Sequence, residues 1–168
     1  TNSVKPEQAL SQAKNAARLF LNQNGEPASY QHVHAAMTTG LAHQNELAVD
    51  IFLQNRNQST SETQKYLEGV FMEPGLLVQV GEETSSLEAG QFWLAEPNGT
   101  QPPLIDRLEE QIVRLLISEG TISSKQAKSV SFQAFPGLFT PKERQVLNCL
   151  ESYADLVDPE KHRWLLRE

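Results

Sequence analysis

A short segment rich in proline and glycine divides the sequence. It runs from Pro97 to Pro103 and reads PNGTQPP. Proline and glycine interrupt helices and strands, so the segment predicts a boundary between two separately folded parts, residues 1–97 and 98–168. Hydrophobic residues make up 39% of the chain and aromatic residues 7%, which is enough for two small cores.

The first part shows helical periodicity before two strand-like runs. Leu10, Ala13, Ala17, Phe20 and Leu21 recur at helical spacing and predict a helix from Pro6 to just before Gly25. Three further helices are predicted after Pro27 through Leu41, over 46–56, and from a capping box at Ser59 through Met72. The runs 76–80 and 91–95 are rich in β-branched and aromatic residues and predict a hairpin.

The second part repeats this order in less space. A strongly amphipathic helix is predicted from Leu104 to just before Gly120, and Thr121 or Ser123 caps a short second helix. Thr140 is predicted to cap a third helix with Pro141 in its first position. That helix turns Val146, either Cys149 or Leu150, and Tyr153 inward, and 163–166 is a returning strand.

Both parts end in a strand that contains a tryptophan, Trp93 in the first and Trp164 in the second. Helices followed by a terminal hairpin are typical of winged helices. We therefore predict a mainly α protein with small β-hairpins, an α+β fold, built from two tandem winged-helix-like domains. The two tryptophans should occupy corresponding strands. A single α bundle with one hairpin is the alternative.

The distribution of charge separates the two parts. The chain has a net charge of −7, of which residues 1–97 carry −6 and residues 98–168 carry −1. An acidic chain repels phosphate, which argues against a nonspecific binder of polyanions. The single cysteine, Cys149, excludes an intramolecular disulfide, and its place on an inner helix face predicts a buried, inert thiol.

The sequence has no motif that supplies complete catalytic chemistry. It contains no glycine-rich phosphate loop and no nucleophile elbow. His32 and His34 are two residues apart, so a helix points them to different faces and they cannot easily share a metal ion. We expect no enzyme activity, no cofactor and no metal.

Apolar runs are too short for a transmembrane helix, and the N-terminus has no signal-peptide core. We expect a cytoplasmic chain with no membrane contact. The missing initiator methionine and the abrupt C-terminus indicate a piece of a larger parent protein.

Chemistry suited to nucleic acid is concentrated on the predicted helix 141–153. If its apolar residues face the core, four side chains that could contact base edges face outward: Arg144, Gln145, Asn148 and Ser152. Four cations nearby in the sequence could contact phosphates: Lys142, Lys161, Arg163 and Arg167. The plainer interpretation is that every amphipathic helix has a polar outer face. The matching helix of the first part carries Glu62, Lys65 and Glu68 and is followed by Glu73, so it is net acidic.

Scattered motifs across most of the chain resemble one known group of proteins. They are Gly25–Tyr30 with His34–Ala36, Phe92–Pro97 followed by Pro102–Glu109, Phe135–Pro141, Cys149–Tyr153 and Trp164–Arg167. Together they resemble a non-catalytic region of large bacterial and archaeal DNA methylase-like proteins, which methylate amino groups with S-adenosylmethionine.

The resemblance implies an accessory role. The catalytic part of that family carries a Pro-Pro-aromatic motif after an acidic or polar residue, and neither Gln101–Leu104 nor Asp158–Lys161 fits it. No catalytic residue is carried over. The sequence predicts an accessory module of a DNA-modifying protein that recognises or positions double-stranded DNA through its second domain. The alternative is a protein–protein interaction scaffold without nucleic-acid contact.

Overall fold

The computed structural model describes residues 6–44, 67–81 and 86–168. Two compact units, Thr1–Gln101 and Pro102–Glu168, make up the chain, and they divide inside the Pro97–Pro103 segment. The described residues are mainly helical with two small antiparallel sheets, an α+β architecture. Because these residues already form two three-stranded sheets, the single bundle with one hairpin is wrong.

The first unit packs helices against one sheet. Helix α1 spans Pro6–Asn24, strand β1 Ala28–Ser29, helix α2 Tyr30–Gln44, strand β2 Leu77–Val80 and strand β3 Gln91–Leu94. Residues 67–71 are helical, and Leu87–Ala89 form a 3-10 turn before β3. The sheet order is β1–β3–β2, so β3 is central. The predicted helix over 46–56, the capping box at Ser59 and Glu62 lie outside the described residues.

The core of the first unit confirms the helical periodicity. Ala13, Ala17, Phe20 and Leu21 of α1 are buried, as are Tyr30, Val33, Met37 and Leu41 of α2. Tyr30, Phe71 and Phe92 form an aromatic cluster, with ring centroids 4.6 Å apart for the first pair and 4.8 Å for the second. This cluster joins α2 and the 67–71 helix to the inner face of the sheet.

The elements of the second unit follow the same order as the described elements of the first. Helix α3 spans Leu104–Glu119, strand β4 Thr121–Ser123, helix α4 Ser124–Ala134, helix α5 Glu143–Tyr153, strand β5 Ala154–Asp158 and strand β6 Arg163–Leu166. Strand β6 is central in the order β4–β6–β5. Leu108, Ile112 and Leu116 of α3 pack with Val146, Cys149 and Leu150 of α5 in one buried core.

The same two local devices position the second helix in both units. Gly25 and Gly120 follow the first helices in the left-handed region, at φ of 71° and 74°, where a side chain would be strained. Ser29 and Ser123 then end the short strands, and their hydroxyls accept hydrogen bonds from the backbone N–H of His32 and Gln126. Of the two predicted caps of α4, Ser123 is the one used.

The strand register shows that the two tryptophans are not equivalent. Ser29 pairs with Gln91, and Ser123 pairs with Arg163, so Phe92 matches Trp164 and Trp93 matches Leu165. Successive residues of a strand face opposite sides, so this offset of one residue reverses the tryptophans. Trp164 packs on the core and donates from Nε1 to Ser124 Oγ at 2.8 Å. Trp93 shares the outer face with Val78, its partner across the strands.

Two details of the third helix of the second unit differ from the prediction. The helix begins at Glu143, with Lys142 as the capping residue, because Thr140 instead closes the 3-10 turn Gly137–Phe139. Tyr153 was predicted to face inward but is 37% exposed. As the last helical residue before β5, it donates its hydroxyl to Glu109 Oε2 at 2.9 Å at the surface.

Candidate nucleic-acid interface

Helix α5 is held by its apolar stripe. Val146 and Leu150 are fully buried and Cys149 is 2% exposed, so one side of the helix is sealed against α3 and α4. Removing this much apolar surface from water orients the helix firmly, and the opposite side then has to face solvent. The outward face is therefore determined by the core of the unit.

Three of the four predicted base-contacting residues share that outward face. Arg144, Asn148 and Ser152 follow one another at intervals of four residues and are all exposed. The Ser152 hydroxyl donates to the Asn148 backbone carbonyl oxygen at 2.8 Å, so this hydroxyl is engaged within the helix, while the Asn148 side chain is exposed. Arginine, asparagine and serine are side chains that bond to base edges.

An acidic residue lies among these groups. Glu151 Oε2 is 3.6 Å from the Arg144 guanidinium, and the two side chains are 51% and 71% exposed. An exposed pair at this distance is weak, so a ligand can displace Glu151 from Arg144 at small cost. The carboxylate nevertheless lowers the positive potential of the face.

Gln145 and Lys142 are engaged at the start of the helix. Gln145 is half-buried, and its Oε1 accepts a hydrogen bond from the Lys142 backbone N–H at 2.8 Å. This capping bond directs the Gln145 amide toward the helix terminus rather than outward with Arg144. The Lys142 side chain is exposed at the same end.

The remaining predicted phosphate contacts lie on the β5–β6 hairpin. Lys161 is exposed in the turn, where its backbone N–H bonds to Asp158 Oδ1 at 3.1 Å. His162 follows with a φ of 49°, and its carbonyl oxygen accepts from the Ser124 N–H at 3.0 Å, which ties the turn to the start of α4. Arg163 donates from Nη2 to Thr121 Oγ1 at 2.7 Å across the sheet.

Arg167 has a well-defined intramolecular role. Its Nε donates to Asp155 Oδ1 at 3.0 Å, and its Nη atoms donate to the carbonyl oxygens of Glu151, Ser152 and Ala154 at 3.2–3.3 Å. The last carbonyl groups of a helix have no partner within the helix and carry partial negative charge. Arg167 therefore closes the C-terminal end of α5.

The prediction that the Cys149 thiol is buried on the inner face of this helix is confirmed, and its surroundings keep the thiol protonated. Burial, followed by the nearby Glu109 carboxylate, raises the pKa of Cys149 to about 11. The hydrogen bond to Glu109, together with the charge of that carboxylate, raises the pKa of Tyr153. A catalytic cysteine requires access and a lowered pKa.

No group of three or more His, Cys, Asp or Glu side chains that could hold a metal ion occurs within 6–44, 67–81 and 86–168. None of the helices in the described part of the chain is long and apolar enough to cross a membrane.

Comparison with known proteins adds no assignment. No protein-family model matches the sequence, and a search of curated proteins returned no match.

Proposed function

We propose that this chain is a tandem winged-helix accessory module of a DNA-modifying protein that contacts duplex DNA through its second unit. The observation that carries the proposal is the exposed row of Arg144, Asn148 and Ser152 on α5. The element order of both units supports the winged-helix interpretation. In each, a helix, a short strand and further helical segments precede a hairpin whose returning strand is central.

In a winged helix, the third helix is the usual reader of the major groove, and the hairpin supplies flanking contacts. In the second unit these elements are α5 and the β5–β6 hairpin. Arg144 and Asn148 would bond base edges, and Lys142 and Lys161 would contact phosphates on either side. Arg163 and Arg167 would contribute less, because their guanidinium groups already bond to Thr121 and to the end of α5.

The first unit is not proposed to read DNA. Residues 1–97 carry a net charge of −6, and the helical residues 67–71 include Glu68 and are followed by Glu73. The Lys14 ammonium at 2.5 Å from Glu73 is engaged within the unit. Protein interaction is the second candidate function and is favoured for this unit by its acidity.

A low-salt fluorescence titration against labelled duplex DNA tests the proposal. Arg144→Ala should weaken binding by roughly 1–3 kcal/mol if the guanidinium makes a bidentate base contact. The matched control is Arg114→Ala, because Arg114 is also exposed on the second unit and paired to a glutamate, Glu110, on its own helix. Arg114→Ala should bind as the parent does.

Salt and sequence dependence separate the two kinds of contact. Binding should fall steeply with salt, since the module has few cations and an acidic total charge. Lys161→Ala should weaken binding less than Arg144→Ala and equally on all duplexes. Absence of binding by the parent, or equal losses in Arg144→Ala and Arg114→Ala, would contradict the proposal and favour the protein-interaction role.

A further inference from the structure

The outer face of the first-unit sheet is apolar and open. Val78 and Val80 are 44% and 39% exposed, and Trp93 lies directly across from Val78. These three residues are here called the outer face. Phe92 and Leu94, which point the other way, are buried in the core. Two exposed valines and the half-buried Trp93 are thus presented together on the outer side of two neighbouring strands.

The strand that carries two of them is also an edge of its sheet. Within the described residues, β2 pairs with β3 on one side only. Edge strands are normally protected by charges, prolines or bulges, because their unpaired backbone groups accept another strand. The β2 sequence, LVQV, has no charge and no proline, and its pairing with β3 is regular.

The second unit also exposes apolar side chains on its sheet, at Leu156, Val157 and Leu165, but its edge strand is protected. Its edge strand β5 occupies the same position in the sheet order, but it carries Asp155 and Asp158 and has a bulge between Leu156 and Asp158. One edge is protected by two of the usual devices, and the other has neither. The difference points to a bound partner at β2.

The charge near β3 distinguishes between two possible partners for β2, a second copy of this chain and a segment of another protein. Exposed Glu88 and Glu96 stand just before and just after β3, and residues 1–97 carry a net −6. A second copy of this chain would bring the same carboxylates together, which is unfavourable. A segment with lysine or arginine at its ends would instead meet opposite charge.

We propose that β2 and the outer face bind an extended, cationic peptide segment of a partner protein as an added strand. Backbone groups of the segment would pair with the β2 edge, and alternate apolar side chains would cover Val78, Val80 and Trp93. The lysines or arginines that flank the segment would lie near Glu88 and Glu96. This interaction is independent of DNA binding by the second unit.

The test uses the full chain with Trp164→Phe, so that Trp93 is the remaining tryptophan and reports on the outer face. The probe is a short synthetic peptide of alternating valine and threonine with lysines at both ends. It should produce a saturable change in Trp93 emission and slow amide exchange at Leu77, whose N–H points away from β3 in the register of the two strands. The same peptide with a central proline, which lacks the pairing N–H, should not bind, and neither should one with glutamates at its ends.

Two matched variants locate the site. Val78→Glu should weaken binding of the lysine peptide by about tenfold or more, because it places a charged side chain in the apolar contact. This loss is expected even though the new carboxylate attracts the lysines. Leu156→Glu, on the protected edge of the other sheet, should not change binding. No saturable signal, equal binding of the proline peptide, or equal losses in both variants would overturn the proposal. A dimer in sedimentation analysis that Val78→Glu dissociates would overturn it in favour of a second copy.

Discussion

Replacing Arg167 by alanine should destabilise the second unit without removing a base contact. The guanidinium forms an ion pair with Asp155 and bonds to three carbonyl oxygens at the end of α5, while the side chain is 51% exposed. An exposed ion pair contributes about 0.2–1 kcal/mol. A cation at a helix C-terminus contributes about 0.3–1 kcal/mol. The expected loss is therefore about 1–2 kcal/mol, the upper part of the combined range, because three carbonyl groups share the cation.

Urea unfolding followed by Trp164 fluorescence measures this loss, in a Trp93→Phe background that makes the signal specific to the second unit. Asp155→Asn, which removes only the ion pair, should cost less than 1 kcal/mol. Arg144→Ala should leave the unfolding midpoint nearly unchanged, because its ion pair with Glu151 is long, at 3.6 Å, and exposed to solvent. If Arg167→Ala unfolds like the parent, or if Arg144→Ala unfolds as early as Arg167→Ala, the division of roles between the two arginines is wrong.

Three further predictions test the packing of both units. The Cys149 thiol has a pKa of about 11 in the folded chain against about 9 in the unfolded chain. The unfolded chain therefore loses this proton first as the pH rises. The free energy of unfolding should keep its full value below pH 9 and fall by roughly 2–3 kcal/mol as the pH rises to 11. Between pH 9 and pH 11, the urea midpoint should fall more steeply with pH for the parent than for Cys149→Ala. Equal slopes would contradict the raised pKa of Cys149. Ile112→Ala, at a fully buried position of the second core, should cost about 2–5 kcal/mol in the same assay, and a loss below 1 kcal/mol would show that the core closes around the cavity. A Cβ on Gly40 would lie 2.5 Å from Ala16 Cβ, so Gly40→Ala should separate α1 from α2 and cost about 1–3 kcal/mol in thermal unfolding of the first unit. The exchange of both residues, Ala16→Gly with Gly40→Ala, should recover part of that loss.

The sequence alone predicts the helices of this protein well where their apolar periodicity is strong. The apolar stripes on α1, α2 and α3 predicted the buried residues, because the spacing of apolar residues along a helix can be read from the local sequence. Gly25 and Gly120 predicted the helix ends, because glycine adopts a positive φ without strain. The exposed position of Arg144 and Asn148 follows in the same way from the buried Val146 and Leu150. Strands β1 and β4 were missed, since two or three residues become a strand only by pairing with a distant partner.

The tertiary structure alone decided which side of a strand faces the core and which polar side chains form hydrogen bonds within the chain. The alternation Val78-Gln79-Val80 indicates that the strand has two faces but not which face is buried. The sequence alignment of the two tryptophans also concealed a one-residue difference in strand register, which turns Trp93 outward. Arg167 looked like a phosphate contact until the chain end brought it to the carbonyl oxygens of α5, and Tyr153 looked like a core residue until Glu109 of α3 came within hydrogen-bonding distance. Each of these outcomes depends on pairing between residues far apart in the sequence, and local periodicity carries no information about such pairs.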